Sequence, residues 1–141
     1  METFKEQLKA NLVALISLVV AIVAMVSSSW REDETEKNRN TRAASFEVLK
    51  NLAELQIVVN NSYYLPKGAM ANPFSGWGQM ALINDLARLL SPKVMEKSAA
   101  LAKEWNEQWE KVKTDESAVN AISEKINEDR DAVLELLKSL K

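Results

Sequence analysis

The sequence predicts an all-α protein in which a single N-terminal transmembrane helix is followed by a small helical bundle of about four helices. Three observations predict this class: one long uncharged apolar run near the N-terminus, later segments with apolar residues at helical spacing, and no strand-like alternation. The domains that follow are residues 1–30 as N-terminal tail and transmembrane anchor, residues 31–42 as a charged helical linker, and residues 43–141 as a soluble helical bundle domain.

The anchor is the run of residues 12–30, which carries no charge and ends on Trp30. As a helix its ~19 residues extend ~28 Å, close to the thickness of the hydrocarbon core of a bilayer. Leu, Ile and Val each favour insertion, and an indole such as that of Trp30 prefers the headgroup layer. A cleaved signal peptide is the alternative, since Lys5 and Lys9 precede the run. The length of the run and the acidic residues beside these lysines favour an uncleaved anchor.

One face of the anchor carries small residues spaced alternately by four and three positions. They are Ala10, Ala14, Ser17, Ala21, Ala24 and Ser28. Small residues let two membrane helices approach closely, and a period near 3.5 residues suits a left-handed crossing. The sequence therefore predicts that the positions from 14 to 28 bind another membrane protein or a second copy of this chain. The alternative is that small residues, which are common in such helices, fall into this register by chance.

The orientation of the anchor follows from the basic residues on its two sides. Lys5, Lys9 and the terminal amine precede it, whereas the C-terminal side carries more cations, namely Arg31, Lys37, Arg39 and Arg42. Because Lys and Arg near a membrane helix are retained on the cytoplasmic side, this small excess favours a cytoplasmic soluble domain.

The helical pattern continues beyond the anchor, because no Gly or Pro occurs before Pro66. Ser29 and Glu32 form a capping box that would begin a new helix at Trp30, so the segment is one kinked helix or two abutting ones. The acidic residues of the linker are interpreted as a solvated helical face rather than as a cation site. From Ala43 the pattern becomes amphipathic and predicts a core-facing helix that ends near Ser62.

Residues 62–78 are the one irregular region that the sequence predicts. They contain all three glycines of the chain and four aromatic residues, Tyr63, Tyr64, Phe74 and Trp77. Aromatic side chains on a loop restrained by prolines are typical of binding surfaces, so these four residues are a candidate site for a partner protein. The alternative is that the loop folds back and that Phe74 and Trp77 close the end of the bundle.

Three further helices are predicted after this region. The apolar positions of the first end at Ser91 and Pro92, a good N-cap and a good first helical residue for the second. The second helix carries Trp105 and Trp109 on one face, as a possible pocket for an aromatic or lipidic ligand or as bundle core with the indole N–H turned outward. The last helix begins near Asp115, and its apolar face is interrupted by Asp129 and Arg130.

The composition argues against catalysis and against nucleic-acid binding. The chain has no His and no Cys, which removes the commonest general base, the usual transition-metal ligands and the thiol nucleophile. It contains no phosphate-binding glycine loop, and its net charge of −2 offers no basic face for phosphates. We therefore expect no catalytic residue, no metal site and no cofactor.

The function expected from these features is that of a non-enzymatic single-pass membrane protein. It would act as an accessory or structural subunit that binds partner proteins through the anchor and the aromatic region. The alternative is a membrane-anchored helical sensor or small-ligand-binding module with a pocket near Trp77, Trp105 and Trp109.

Overall fold

The computed structural model describes residues 4–68 and 71–140, and the described chain is helical without any strand. The helices are α1 (Phe4–Tyr64), α2 (Gly76–Ala87), α3 (Pro92–Gln108) and α4 (Glu116–Ser139), with a 3₁₀ turn at Pro73–Ser75 before α2. The predicted all-α class is confirmed. The chain divides into two compact units, Met1–Asn38 and Arg39–Lys141.

The described part of the first unit is the N-terminal stretch of α1. Every side chain at residues 11–37 is exposed, and the large apolar ones are more than half exposed, from Ile22 at 53% to Trp30 at 76%. Among the helices of the described chain, α1 is the one that is long and apolar enough to cross a membrane.

Helical structure continues through Ser29 and Trp30, so the new helix expected from the capping box does not begin there. A capping box acts only where the chain leaves helical geometry, and nothing at this point forces it to do so. No Gly or Pro interrupts the sequence here, and the first proline of the chain, Pro66, lies beyond the end of α1.

The second unit is a bundle built from α2, α3, α4 and the C-terminal part of α1. Leu52, Leu101 and Ile122 are among the side chains without any solvent exposure at its centre. The Arg42 guanidinium donates to the Leu140 carbonyl at 3.0 Å, and the Gln56 amide donates to the Ser123 hydroxyl at 2.9 Å. From the first bond to the second, the chain advances along α1 from Arg42 to Gln56 and goes back along α4 from Leu140 to Ser123. The two helices are therefore antiparallel.

The starts of α3 and α4 follow the sequence prediction. The Ser91 hydroxyl accepts a hydrogen bond from the Val94 amide at 3.3 Å, and Pro92 is the first helical residue. An Asp115 carboxylate oxygen accepts from the Ser117 amide at 2.8 Å. These side chains satisfy backbone donors that the first turn of a helix leaves without partners.

The irregular region is shorter than the predicted range of residues 62–78, and this boundary was wrong at both ends. Helix α1 continues to Tyr64, with Ser62 fully buried in the bundle, and α2 already begins at Gly76. Gly76 serves close packing there, since a Cβ atom would lie 2.5 Å from the Trp105 ring. A glycine that permits a close approach of two helices looks, in sequence, the same as one that permits a turn.

Candidate functional site

The predicted anchor face lies on the exposed part of α1. Ala14, Ser17, Ala21, Ala24 and Ser28 are all exposed, and the side chain of Ala10 lies outside the described residues. The Ser17 hydroxyl donates to the Val13 carbonyl at 2.8 Å. This bond within the helix satisfies the one hydroxyl donor of Ser17, as an apolar surrounding requires.

The structure brings Phe74 and Trp77 of the predicted loop together with Trp105 and Trp109 of the predicted pocket. The ring centroids of Trp77 lie 6.3 Å from those of Trp105 and 6.0 Å from those of Trp109, both nearly edge-on. Phe74 lies 6.2 Å from Trp109 with its ring tilted by 60°. We call these four residues the aromatic cluster. The sequence grouped Trp77 with Trp105 and Trp109 only in the alternative ligand-binding interpretation and did not group Phe74 with them, because no local pattern indicates that α2 packs against α3.

Burial within the aromatic cluster is graded from the core to the surface. Trp105 has no solvent exposure, Trp77 and Trp109 are half-buried, and Phe74 is 64% exposed. Trp77 and Trp109 both pack against the hydrophobic core. Trp77 therefore closes the bundle, as the alternative interpretation of the loop expected, whereas Phe74 offers most of its ring to solvent.

The two tyrosines are not part of the aromatic cluster. Their rings contact each other edge-on at 4.9 Å in the last turn of α1, and no ring contact joins them to the four other aromatic residues. Tyr63 is half-buried against the core, and Tyr64 is 60% exposed. The side chains of the predicted loop site that are exposed are therefore those of Tyr64 and Phe74.

The expectation that a core tryptophan would turn its N–H outward is wrong for Trp105. Its Nε1 is buried and has no hydrogen-bond acceptor, and the buried Oε1 of Gln79 has no donor. The ring is enclosed because Gly76 at the start of α2 lets that helix approach it closely. A donor on α3 and an acceptor on α2 are thus both buried without partners.

A buried carboxyl lies in the interface between α3 and α4. Asp129 has no solvent exposure, and its Oδ2 accepts a hydrogen bond from the Ser98 hydroxyl at 2.8 Å. Its other oxygen, Oδ1, has no partner. Burial raises the pKa of Asp129 to about 6, although the hydrogen bond from Ser98 acts in the opposite direction. The sequence showed this residue as an interruption of an apolar face and assigned it no role.

The ion pairs of the same two helices lie at the partly exposed surface. Glu128 contacts Lys97 at 2.9 Å and Lys125 at 2.8 Å. Hydrogen bonds from Lys125 and Lys97 lower the pKa of Glu128 to about 2. Within residues 4–68 and 71–140, no group of three or more acidic side chains is arranged to hold a metal ion.

Comparison of the chain with protein-family models, curated proteins and solved structures found no match. The chain is an all-α protein with one helix long and apolar enough to cross a membrane.

Proposed function

We propose that this chain is a single-pass membrane protein without enzymatic activity, acting as an accessory or structural subunit that binds partner proteins. The observation that carries the proposal is the complete exposure of the apolar window of α1, of which 0% is buried inside the protein. The core helix of a soluble protein would bury such a window. Here no part of the described chain covers it.

The size of the exposed surface supports a lipid environment. A fully buried Leu, Ile or Val side chain contributes roughly 1.5–3 kcal/mol relative to an exposed one. The side chains concerned, each at least 53% exposed, are Leu12, Val13, Leu15, Ile16, Leu18, Val19, Val20, Ile22, Val23 and Val26. Since somewhat more than half of each side chain is exposed, transfer of all ten out of water would contribute on the order of 10 kcal/mol. A surface of this size in water would drive aggregation, whereas hydrocarbon accommodates it.

Partner binding is assigned to two surfaces. In the membrane, the small face at Ala14, Ala21 and Ala24 allows close approach of another membrane helix or of a second copy of this chain. Outside it, Tyr64 and Phe74 expose aromatic area that would contribute strongly to a contact with a protein. The cations after the anchor favour the cytoplasmic side for the bundle.

Fractionation of the full-length chain tests the anchor. We expect the protein to stay with membranes during extraction at high pH and to keep its N-terminal residues, as measured by intact mass. Trypsin added to sealed vesicles should cleave at the exposed Lys67 only when the cytoplasmic face is outward. A soluble protein that has lost the apolar run would show that the segment is a signal sequence.

A second candidate function is that of a helical sensor or small-ligand-binding module. It is favoured by the buried Nε1 of Trp105 and the buried Oε1 of Gln79, a donor and an acceptor that a small polar ligand would satisfy beside the aromatic cluster. Native mass spectrometry from mild detergent separates the two functions. A stoichiometric protein partner supports the subunit, whereas a bound small molecule that Trp109→Ala releases supports the module.

A further inference from the structure

The carboxyl of Asp129 is enclosed by apolar side chains where α3 meets α4. Its own helix places Ile126 and Val133 in the core one turn to either side, and Leu101 lies one turn after its partner Ser98. All four of these neighbours, like Asp129, have no solvent exposure. Within the described chain the carboxyl has a single hydrogen bond, which Oδ2 accepts from Ser98 at 2.8 Å, because Oδ1 has no partner.

The cations closest along the two helices form other contacts. Lys97 and Lys125 both bind Glu128, at 2.9 and 2.8 Å, and Arg130 donates to the Asn127 side chain at 2.9 Å. The pKa of Asp129 is therefore determined by burial, which raises it, and by the bond from Ser98, which lowers it. Neither effect comes from a nearby charge.

The other two helices of the bundle present no counter-ion either. On α1, Glu47 and Lys50 contact each other at 4.0 Å with exposed side chains, and Glu54 is partly exposed. The charged residues of α2 and its C-cap are Asp85 and Arg88, and both are exposed. An ionised Asp129 would thus be a lone buried anion with one hydrogen-bond donor, an arrangement that costs free energy.

The sequence contains no His and no Cys, which are the residues that usually titrate between about pH 5 and 8. With its pKa raised to about 6, Asp129 titrates in that range.

We propose that the pair of Asp129 and Ser98 is a proton-controlled latch between α3 and α4, closed while the carboxyl is protonated and loosened when it ionises. The Ser98 hydroxyl donates to Oδ2 at 2.8 Å; in the closed form the proton resides on Oδ2, the hydroxyl rotates, and the direction of the bond reverses so that Oδ2 donates to the Ser98 Oγ. Oδ1 is then a neutral carbonyl oxygen. Burying it without a hydrogen-bond donor costs far less free energy than burying a charged carboxylate oxygen without one. When the proton passes to solvent, the carboxylate draws water toward the interface, and the two helices separate more easily.

The direction of the pH dependence follows from linkage. The folded-state pKa of about 6 lies above the ordinary value of 3.8, so the folded protein binds the proton more tightly than the unfolded one. The stabilisation is complete below about pH 4 and is lost as the pH rises through 6. Three carboxyls have a lowered pKa, and they change the stability of the fold only at more acidic pH; they are Glu128, Glu135 and Asp115.

Thermal unfolding of the full-length chain in neutral detergent tests the latch. Between about pH 5 and 7.5 the melting temperature of the wild-type protein should fall by on the order of 10 °C. Asp129→Asn, which mimics the protonated carboxyl, should remove this fall. The matched control is Asp131→Asn, because Asp131 is exposed on the same helix and its variant should keep the wild-type profile.

Ser98→Ala tests the hydrogen bond itself. Ser98 contacts the carboxyl in both protonation states, but a hydroxyl stabilises the ionised form more strongly, so its removal should move the midpoint of the pH profile upward. A flat wild-type profile, or a fall that persists in Asp129→Asn, would overturn the latch. If that variant does not fold, carbon NMR of the wild-type Asp129 carboxyl decides: a midpoint near 6 supports the latch, and one below 5 overturns it.

Discussion

Two stretches of α1 contain similar apolar side chains in very different surroundings. At residues 12–26 apolar residues occur all around the helix and every one is exposed, whereas at residues 45–62 they follow one face, and Val48, Leu52 and Leu55 have no exposure at all. The second stretch satisfies its apolar face within the protein. The first stretch has no single apolar face. A helix that is apolar all around needs an apolar environment on every side. The comparison shows that a helical period of apolar and polar residues marks the core helix, whereas a nearly uninterrupted apolar run marks the candidate membrane helix.

The largest expected effect is the removal of the first stretch. A chain reduced to residues 39–141 should be water-soluble, highly helical and cooperative in thermal unfolding, since the second unit contains its own core. Circular dichroism during heating measures this. High helicity without a cooperative melt would show that the bundle needs a partner or the anchor to complete its core.

The next effect concerns the core side of the comparison. Trp105→Ala should lower the free energy of unfolding by ~3 kcal/mol or more, because the ring is fully buried and its loss leaves a cavity. Trp109→Ala should cost less, since that ring is half-buried, and Trp30→Ala should leave bundle unfolding unchanged, since Trp30 is 76% exposed. Chemical denaturation in detergent gives the three values, and an equal loss at Trp105 and Trp109 would contradict the observed gradient of burial.

A smaller effect is expected on the association of the exposed stretch through its small residues. Replacing Ala14, Ala21 and Ala24 by Leu should weaken association of the anchor by about 1–2 kcal/mol, because larger side chains hold the helices apart. The matched controls, Leu15→Val and Ile22→Val, change apolar residues outside the small face and should have little effect. A membrane association assay provides the comparison, and equal losses in both sets would remove the small face as a binding surface.

The smallest expected effect lies at the exposed edge of the aromatic cluster. Phe74→Ala should lower the free energy of unfolding by no more than about 1 kcal/mol, because the ring is 64% exposed, yet it should weaken partner binding. Trypsin should cleave the isolated protein first near the exposed Lys67, and a bound partner should protect that site. A large loss of stability together with resistance at Lys67 would show that Phe74 belongs to the core.

The helix boundaries were predicted correctly where they depend on neighbouring residues in the chain. They were predicted wrongly where they depend on contacts between distant residues. Ser91 and Asp115 were recognised as caps because the side chain and the backbone amide that it binds lie two or three residues apart. The ends of the region before α2 were misplaced because Ser62 and Gly76 take their conformation from burial and from the Trp105 ring. Such contacts join residues far apart in the chain, and no local spacing encodes them.

The candidate site shows the same division. Each aromatic residue was identified, and the alternative interpretation grouped Trp77 with Trp105 and Trp109, but the ring contacts themselves and the contact of Phe74 with Trp109 depend on how the chain from the 3₁₀ turn into α2 packs against α3. Asp129 was visible as a charge within an apolar face, yet its missing counter-ion and its bond to Ser98 became apparent only from the packing of α3 against α4.

By itself, the sequence determined the helical class, the single uncharged apolar run and the caps of α3 and α4. These follow from propensity, from periodicity and from bonds between close neighbours in the chain, all of which act over a few residues. Only the tertiary structure decided which aromatic rings are in contact, which indole N–H is buried without an acceptor and which carboxyl is buried. Those outcomes depend on side chains that separate helices bring together, and the balance between burial and hydrogen bonding is settled at such contacts.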